Sequence, residues 1–287
     1  MTVSHYQQWR YYWVNLTYRA ERRRTMTLRF RDLGIAQHCR IEAVMNPPNN
    51  GHGSNRPTYG GVIQSHLKAV VTAYYDLMDL TESPVCVFLE DDAVLTEEGL
   101  RHIQSCLAHL PSGWEVFQAH TIIPSLYEAL LELYPEKMPP NRFVKGYFMS
   151  CACYIMHADS VRKFVQSRVN MHVLKSPLRE IVPLFPFFRA DGQHVIPETA
   201  VFADMVAWTT LYSCINTDEN HSNDSSVFEK FKQQRDINWR NMVLLQRIYD
   251  NSRRFPFTCA QLVHLPSDVH WFTSKEEAAQ FLRTHNM

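Results

Sequence analysis

The run Val85-Cys86-Val87-Phe88-Leu89-Glu90-Asp91-Asp92 constrains this chain more than any other stretch: five apolar residues, two of them β-branched, pass directly into three carboxylates. The apolar part reads as a short strand covered on both faces, as inside a parallel sheet. Open α/β sheets place their ligands at the C-terminal ends of such strands. Three carboxylates crowded there repel one another and lose hydration. A divalent cation that prefers hard oxygen ligands, Mg²⁺ or Mn²⁺, removes that conflict. If the chain stays extended through the triplet, Glu90 and Asp92 point one way and Asp91 the other. That is an acid-x-acid pair able to hold a metal against a phosphate. The competing reading is a solvated acidic turn behind a core strand.

The 287 residues suffice for one large domain or two smaller ones. With 45% hydrophobic and 20% charged residues, the chain is globular rather than disordered. Lys plus Arg equals Asp plus Glu at 29 each, so no overall field draws in nucleic acid as a main partner. Residues 1–10 are polar and lack the apolar core of a signal peptide. No window reaches the apolar length of a membrane span. The seven cysteines are dispersed, with no CxxC pair, and Cys86, Cys151, Cys153 and Cys214 lie in apolar runs. They read as reduced core residues of a cytoplasmic protein. The sequons at Asn15, Asn220 and Asn223 then carry no glycan.

In chain order, residues 11–16 (Tyr-Tyr-Trp-Val-Asn-Leu) are a strong strand signal. Arg19, Arg22, Arg23 and Arg24 follow and lead into a helix that Gly34 ends. Residues 41–44 are a second strand, so the opening is β-α-β, the unit of a parallel sheet. Arginines where a first strand meets its helix suit forked contacts to a nucleotide, or form a basic helix face in water. Residues 46–59 read as a loop. Gly60-Gly61 then opens a helix with Ile63, Leu67, Val70, Val71, Tyr74, Leu77 and Met78 on one face. Ser65 and His66 sit in its first turn, off that stripe.

Residues 97–110 form a helix and 114–119 a strand; 122–140 look like an insertion with a short helix at 126–133. Residues 146–156 read as one core strand, followed by a helix capped by Asp159 or Ser160. Residues 168–195 carry three prolines and no clear period, an irregular segment of the size that shapes an acceptor pocket. Its Phe185 and Phe188 are able to stack on a sugar or fill core space. Asp204 is placed as the N-cap of a helix from Met205, and also as a carboxylate facing the site, as a general base must be. Residues 211–215 read as a strand. His221 lies in the polar loop beyond it, where a neutral imidazole is able to complete a carboxylate metal site. The tail is a helix around 237–249, a strand at 257–265, and a helix opened by Ser274 and Glu277 as a capping box. No P-loop, GxGxxG, HExxH, GxSxG or EF-hand pattern occurs.

The order Val14-Asn15-Leu16, Arg19, Arg22-Arg23, Met26, then Leu33-Gly34-Ile35, Ala43-Val44, Gly61, Ser65-His66 and Leu89-Glu90-Asp91-Asp92 resembles glycosyltransferase family 25. That family includes bacterial lipopolysaccharide galactosyltransferases and collagen galactosyltransferase domains. The likeness extends to Ser150-Cys-Ala-Cys-Tyr154-Ile155 and to the Asp204 segment, and covers about residues 11–222. Gly61-Val62 stands where the family has Gly-Cys, and Phe202-Ala203 where it has Pro-Val.

The resemblance implies a GT-A-like (Rossmann-like) α/β fold: a mixed, mostly parallel sheet flanked by helices, in a single domain with irregular acceptor-side insertions. Residues 1–222 would form the core and 223–287 a helical and β extension packed on it. The ligands would be a UDP-sugar and Mn²⁺ or Mg²⁺. Asn15, Arg19 and Arg23 would lie near the uridine, and Ser65, His66 and Asp91 near the donor. Glu90 and Asp92 would form the acid-x-acid pair, Asp92 as direct metal ligand, with His221 as a further ligand. The family inverts at the anomeric carbon, which requires one carboxylate base; Asp204 is the first choice, with Asp191 and Glu198 as rivals. The expected activity is transfer of galactose, or else glucose, xylose or an N-acetylhexosamine, to a glycan or glycoprotein hydroxyl. The alternatives are an inactive glycan- or nucleotide-binding module on the same scaffold, and a nucleotidyltransferase. The latter usually carries a Gly-rich loop after its first strand, where this chain has Thr17-Tyr18-Arg19-Ala20-Glu21-Arg22.

Overall fold

The computed structural model describes residues 5–44, 59–80, 83–169, 196–218, 232–252, 262–264 and 272–285. The chain opens β1 (Arg10–Asn15), α1 (Ala20–Asp32), β2 (His38–Glu42), α2 (Tyr59–Asp76), β3 (Val85–Glu90) and β4 (Ala93–Val94). It continues α3 (Glu97–His109), β5 (Val116–Gln118), α4 (Pro124–Leu133), β6 (Phe143–Lys145), β7 (Cys153–His157), α5 (Ala158–Arg168) and α6 (Pro197–Phe202). The last elements are β8 (Ala207–Thr210), β9 (Asn216–Thr217), α7 (Lys232–Ser252), β10 (Leu262–His264) and α8 (Lys275–Thr284).

Eight strands form one sheet in the order β10-β6-β8-β5-β7-β3-β1-β2, and β4 pairs with β9 in a small second sheet. β1 pairs in parallel with both β2 and β3, β5 with β8, and β10 with β6. β7 runs antiparallel between β3 and β5, and β6 antiparallel to β8. The sheet is thus mixed α/β with helices on both faces, and its first unit is the expected parallel β-α-β.

The period of two along each strand sorts the core into two layers. Tyr12, Cys86, Phe88, Tyr154 and Met156 face α2, α5 and α6. Tyr11, Trp13, Val87, Leu89, Cys153 and Ile155 face α1 and α3. In the first layer Tyr12, Phe88 and Tyr154 stack across three strands, with centroids 5.6 and 5.0 Å apart. In the second, α1 buries Arg22, Met26 and Phe30, a stripe of one residue every four. A third cluster joins α4 to α7 and α8 through Leu126, Leu130, Leu245, Ile248 and Leu282. Ser274 accepts from the Glu277 N–H at the start of α8, as the capping-box pattern predicts.

Three expectations are corrected. The apolar stretch 146–156 is not one strand: β6 ends at Lys145 and β7 begins at Cys153, with Gly146 at φ 123° and Ser150 at φ 132° between them. The helix expected from Met205 is a strand. α6 stops at Phe202, Asp204 turns the chain at φ 60°, and Ala207-Trp-Thr-Thr210, aromatic and β-branched, pairs with β5. The strand expected at 211–215 is the turn between β8 and β9, because β8 ends at Thr210. No described helix is long and apolar enough to cross a membrane.

Candidate active site: a carboxylate rim

Because β7 is antiparallel to its neighbours, its N-terminal end meets the C-terminal ends of β1, β3 and β5. Asn15, Glu90, His120 and the Ser150–Ala152 turn therefore share one rim of the sheet. The Glu90 N–H donates to the Ala152 carbonyl at 3.0 Å, and the His120 N–H to the Cys153 carbonyl at 3.2 Å.

Glu90 ends β3 on the face of Cys86 and Phe88, which is the face of α2. There His66 Nε2 lies 3.3 Å from Glu90 Oε1, and its Nδ1 3.2 Å from the Tyr154 hydroxyl. Burial pushes the Glu90 carboxyl up, but the bond and charge of His66 outweigh it and hold the group below the usual glutamate range. Ser65 does not touch the rim acids: its Oγ donates to the Gly61 carbonyl at 2.7 Å and accepts from the Val44 N–H at 2.9 Å. It ties α2 to the end of β2.

Asp91 follows the opposite alternation and faces α1. Arg22 Nη1 donates to its Oδ1 at 2.8 Å, and Asn15 Nδ2 to its Oδ2 at 2.6 Å. Both oxygens of Asp91 are thus engaged. Asp92 departs from the expected alternation because the strand ends at Glu90. It lies in the following turn with Oδ2 3.8 Å from Arg22 Nη1. Its Oδ1 is buried with no hydrogen-bond partner among the described residues. Burial and the charge of Glu90 push the Asp92 carboxyl up to about 7, with Arg22 pulling the other way. Two carboxylates with free lone pairs, one an orphaned buried oxygen, make a donor set suited to a divalent cation of the Mg²⁺ or Mn²⁺ type. Glu90 and Asp92 fit that role; Asp91 is committed to Arg22 and Asn15.

Beyond β3 lie two groups with the same signature. His120 is 1% exposed; its Nδ1 bonds Ser150 Oγ at 2.7 Å, and its Nε2 is buried without a partner among the described residues. Burial lowers its pKa to about 4, so it is neutral at ordinary pH. Glu198, in the first turn of α6, accepts the Ser150 N–H on Oε1 at 2.8 Å, while its buried Oε2 has no described partner. Burial pushes this carboxyl up to about 7, and the charge of Glu90 adds to the rise. Ser150 joins the two. It sits in a backbone region that residues with a Cβ rarely adopt, held by its N–H, by Oγ, and by its carbonyl, which accepts from Gln118 Nε2 at 2.7 Å. Strain retained in this way clusters at functional sites.

Of the predicted residues, Asn15, His66, Glu90, Asp91, Asp92 and Glu198 come together at this rim. Arg19 is the N-cap of α1 and its guanidinium lies over the Tyr18 ring, while Arg23 reaches the Thr17 carbonyl. Asp204 is exposed and lies at the other end of the sheet. β8 starts level with Val116, Met156 and Cys86, near the beginning of β3 rather than its end. Asp191 and His221 lie outside the described residues. The sequence places Arg22 only among four arginines suited to a nucleotide, and singles out neither His120 nor Ser150. Arg22 is readable from its place on the Met26–Phe30 stripe, and His120 as the first titratable residue after an apolar strand; nothing local marks Ser150.

No protein-family model matches the chain, and no curated protein matches it.

Proposed function

We propose that the rim binds a divalent cation and a UDP-sugar, and that the chain is a metal-dependent inverting glycosyltransferase. The observation that carries this reading is the orphaned Oδ1 of Asp92 beside Glu90, at the C-terminal end of the central strand. A bare acidic turn in water would leave neither an unpartnered buried oxygen nor a carboxyl raised to about 7. Mn²⁺ or Mg²⁺ held by Asp92 and Glu90 would neutralise charge on a departing diphosphate. Arg22 and Asn15 engage both oxygens of Asp91 and keep it out of that contest. His66 orients Glu90 from behind. Of the two carboxylates considered for the base that are described, Asp204 and Glu198, Glu198 is the one on the rim, and a carboxyl raised to about 7 suits proton transfer near neutral pH. The resemblance to glycosyltransferase family 25 supplies the sugar-transfer chemistry and favours galactose. The buried thiols fit a cytoplasmic protein.

The test is the melting temperature with UDP, GDP, CDP and ATP, each with and without Mn²⁺. A ligand that binds only the folded state raises it. A rise specific to UDP and dependent on Mn²⁺ is expected, followed by turnover of a UDP-hexose. No rise with any nucleotide, in protein that is folded, overturns the donor assignment and turns the reading to a glycan-binding module without catalysis.

A further inference from the structure

The α3 side of the sheet holds a second set of ligand-type atoms, none of which belongs to the carboxylate rim. His102 and Cys106 are four residues apart on α3, so both lie on one face of the helix. Gly99 stands on the same stripe, three residues before His102. That stripe faces the turn after β8: a Cβ at position 99 would stand 2.9 Å from the Cys214 carbonyl oxygen. Glycine there lets the helix approach closely enough for its two ligand-type side chains to reach Cys214. A His102 ring nitrogen and the Sγ atoms of Cys106 and Cys214 all lie within 4.8 Å of one another. Cys106 is 0% and Cys214 3% exposed, and His102 is half-buried. The Cys214 N–H donates to the Ala119 carbonyl at 2.7 Å, which anchors its turn to the sheet.

We propose that His102, Cys106 and Cys214 form a binding site for a thiophilic d¹⁰ cation, Zn²⁺ above all, distinct from the carboxylate rim. Two thiolates and an imidazole are a donor set that selects Zn²⁺ over Mg²⁺ or Mn²⁺. Donors about 2.0–2.3 Å from a tetrahedral ion stand about 3.5 Å apart, so small rotamer adjustments close the cluster around it. Three protein ligands leave the fourth position to water. The ion would staple α3 to the turn that leads from β8 into β9. β9 pairs with β4 immediately after Asp92, and the Asp218 N–H donates to the Asp92 carbonyl at 2.7 Å. The staple therefore stabilises the segment behind the rim while using none of its acids. The two sites differ in hardness, which keeps their metals apart: oxygen donors on one, sulfur on the other.

The experiment is a Co²⁺ titration of the full chain, stripped of metal under reducing conditions. The expected result is a thiolate-to-cobalt charge-transfer band that saturates at one ion per chain. One equivalent of Zn²⁺ bleaches it and excess Mn²⁺ does not. Co²⁺ held only by carboxylates gives no such band, so binding at the rim is told apart. Cys106→Ser and Cys214→Ser each remove the band, whereas Cys39→Ser, in β2, keeps it. X-ray absorption at the zinc edge of the wild type asks the same question without a variant that must fold, and two sulfur ligands are expected. A folded wild type without the band, a band that survives both serine variants, or a zinc shell of oxygen and nitrogen alone overturns the site.

Discussion

Arg22 on α1 and Asp91 at the end of β3 meet at 2.8 Å with side chains only 9% and 10% exposed. One of the three rim carboxylates is thereby neutralised within the fold itself. Removing one member of such a pair leaves the other buried and uncompensated, which costs more than the pair contributes. Arg22→Met is expected to lower stability by about 3 kcal/mol, read as a lower urea midpoint with an unchanged slope. Adding Asp91→Leu to that variant recovers most of the loss. A double variant as unstable as the sum of its parts refutes the coupling.

Asp92→Asn keeps the shape of the turn and removes a charge from a crowded triplet. Without metal, the melting temperature is expected to stay level or rise. The Mn²⁺-dependent stabilisation and sugar transfer should both disappear. A folded Asn variant with full transfer activity sinks the assignment of Asp92 to the metal.

Glu198 gives the clearest pH signature. Its folded-state pKa, about 7, lies above the unfolded value of about 4.3. Between those two values the folded chain holds a proton that the unfolded chain has released. The Glu198 contribution to stability therefore falls as pH rises from about 4.3 through about 7, and is flat above and below that window; Asp92, also raised to about 7, adds a slope of the same sign. Glu198→Gln should remove the Glu198 part of that slope. It should match the wild type near pH 4 and exceed it at pH 8 by on the order of 1–3 kcal/mol, while losing transfer activity. Equal stability curves for the two proteins would show that Glu198 is hydrated and not buried as an acid.

Ser150 should invert an ordinary rule. Elsewhere glycine is the more costly replacement for a residue in regular structure, by about 0.5–1 kcal/mol against alanine. At φ 132° the backbone conformation favours glycine. Both Ser150→Ala and Ser150→Gly lose the bond to His120, but only alanine keeps the strain. Thermal denaturation should rank glycine above alanine by about 1 kcal/mol, and alanine ranking higher would refute the strain.

The central strand and its flanking β-α-β unit were legible because their signals are local. The alternation of Val85 to Leu89 continues correctly into Glu90, which meets His66, and Asp91, which meets Arg22. It fails at Asp92, since nothing in a run of three acids marks where pairing stops. The distance between Asp204 and the rim is hidden for a related reason. Asp204 and Glu198 are six positions apart in sequence, but α6 and β8 carry them to different ends of the sheet. The length of α6 lies between them, and the αL turn at Asp204 then sends the chain into β8; a helix pattern does not reveal such a turn. His120 and Ser150 meet through strands whose order, not whose sequence, makes them neighbours.

The antiparallel placement of β7 also bears on how the chain acquires its rim. Asn15, Glu90, His120, Ser150 and Glu198 come from segments spread over most of the polypeptide, so the rim consists almost wholly of contacts between residues far apart in sequence. β1, α1, β2 and β3 are able to pair while the chain is still short, but at that stage the acids at the end of β3 lack the Ser150 turn and α6. Such long-range closure is entropically slow. The rim therefore cannot close until the Ser150 turn and α6 have joined the β1–β3 unit.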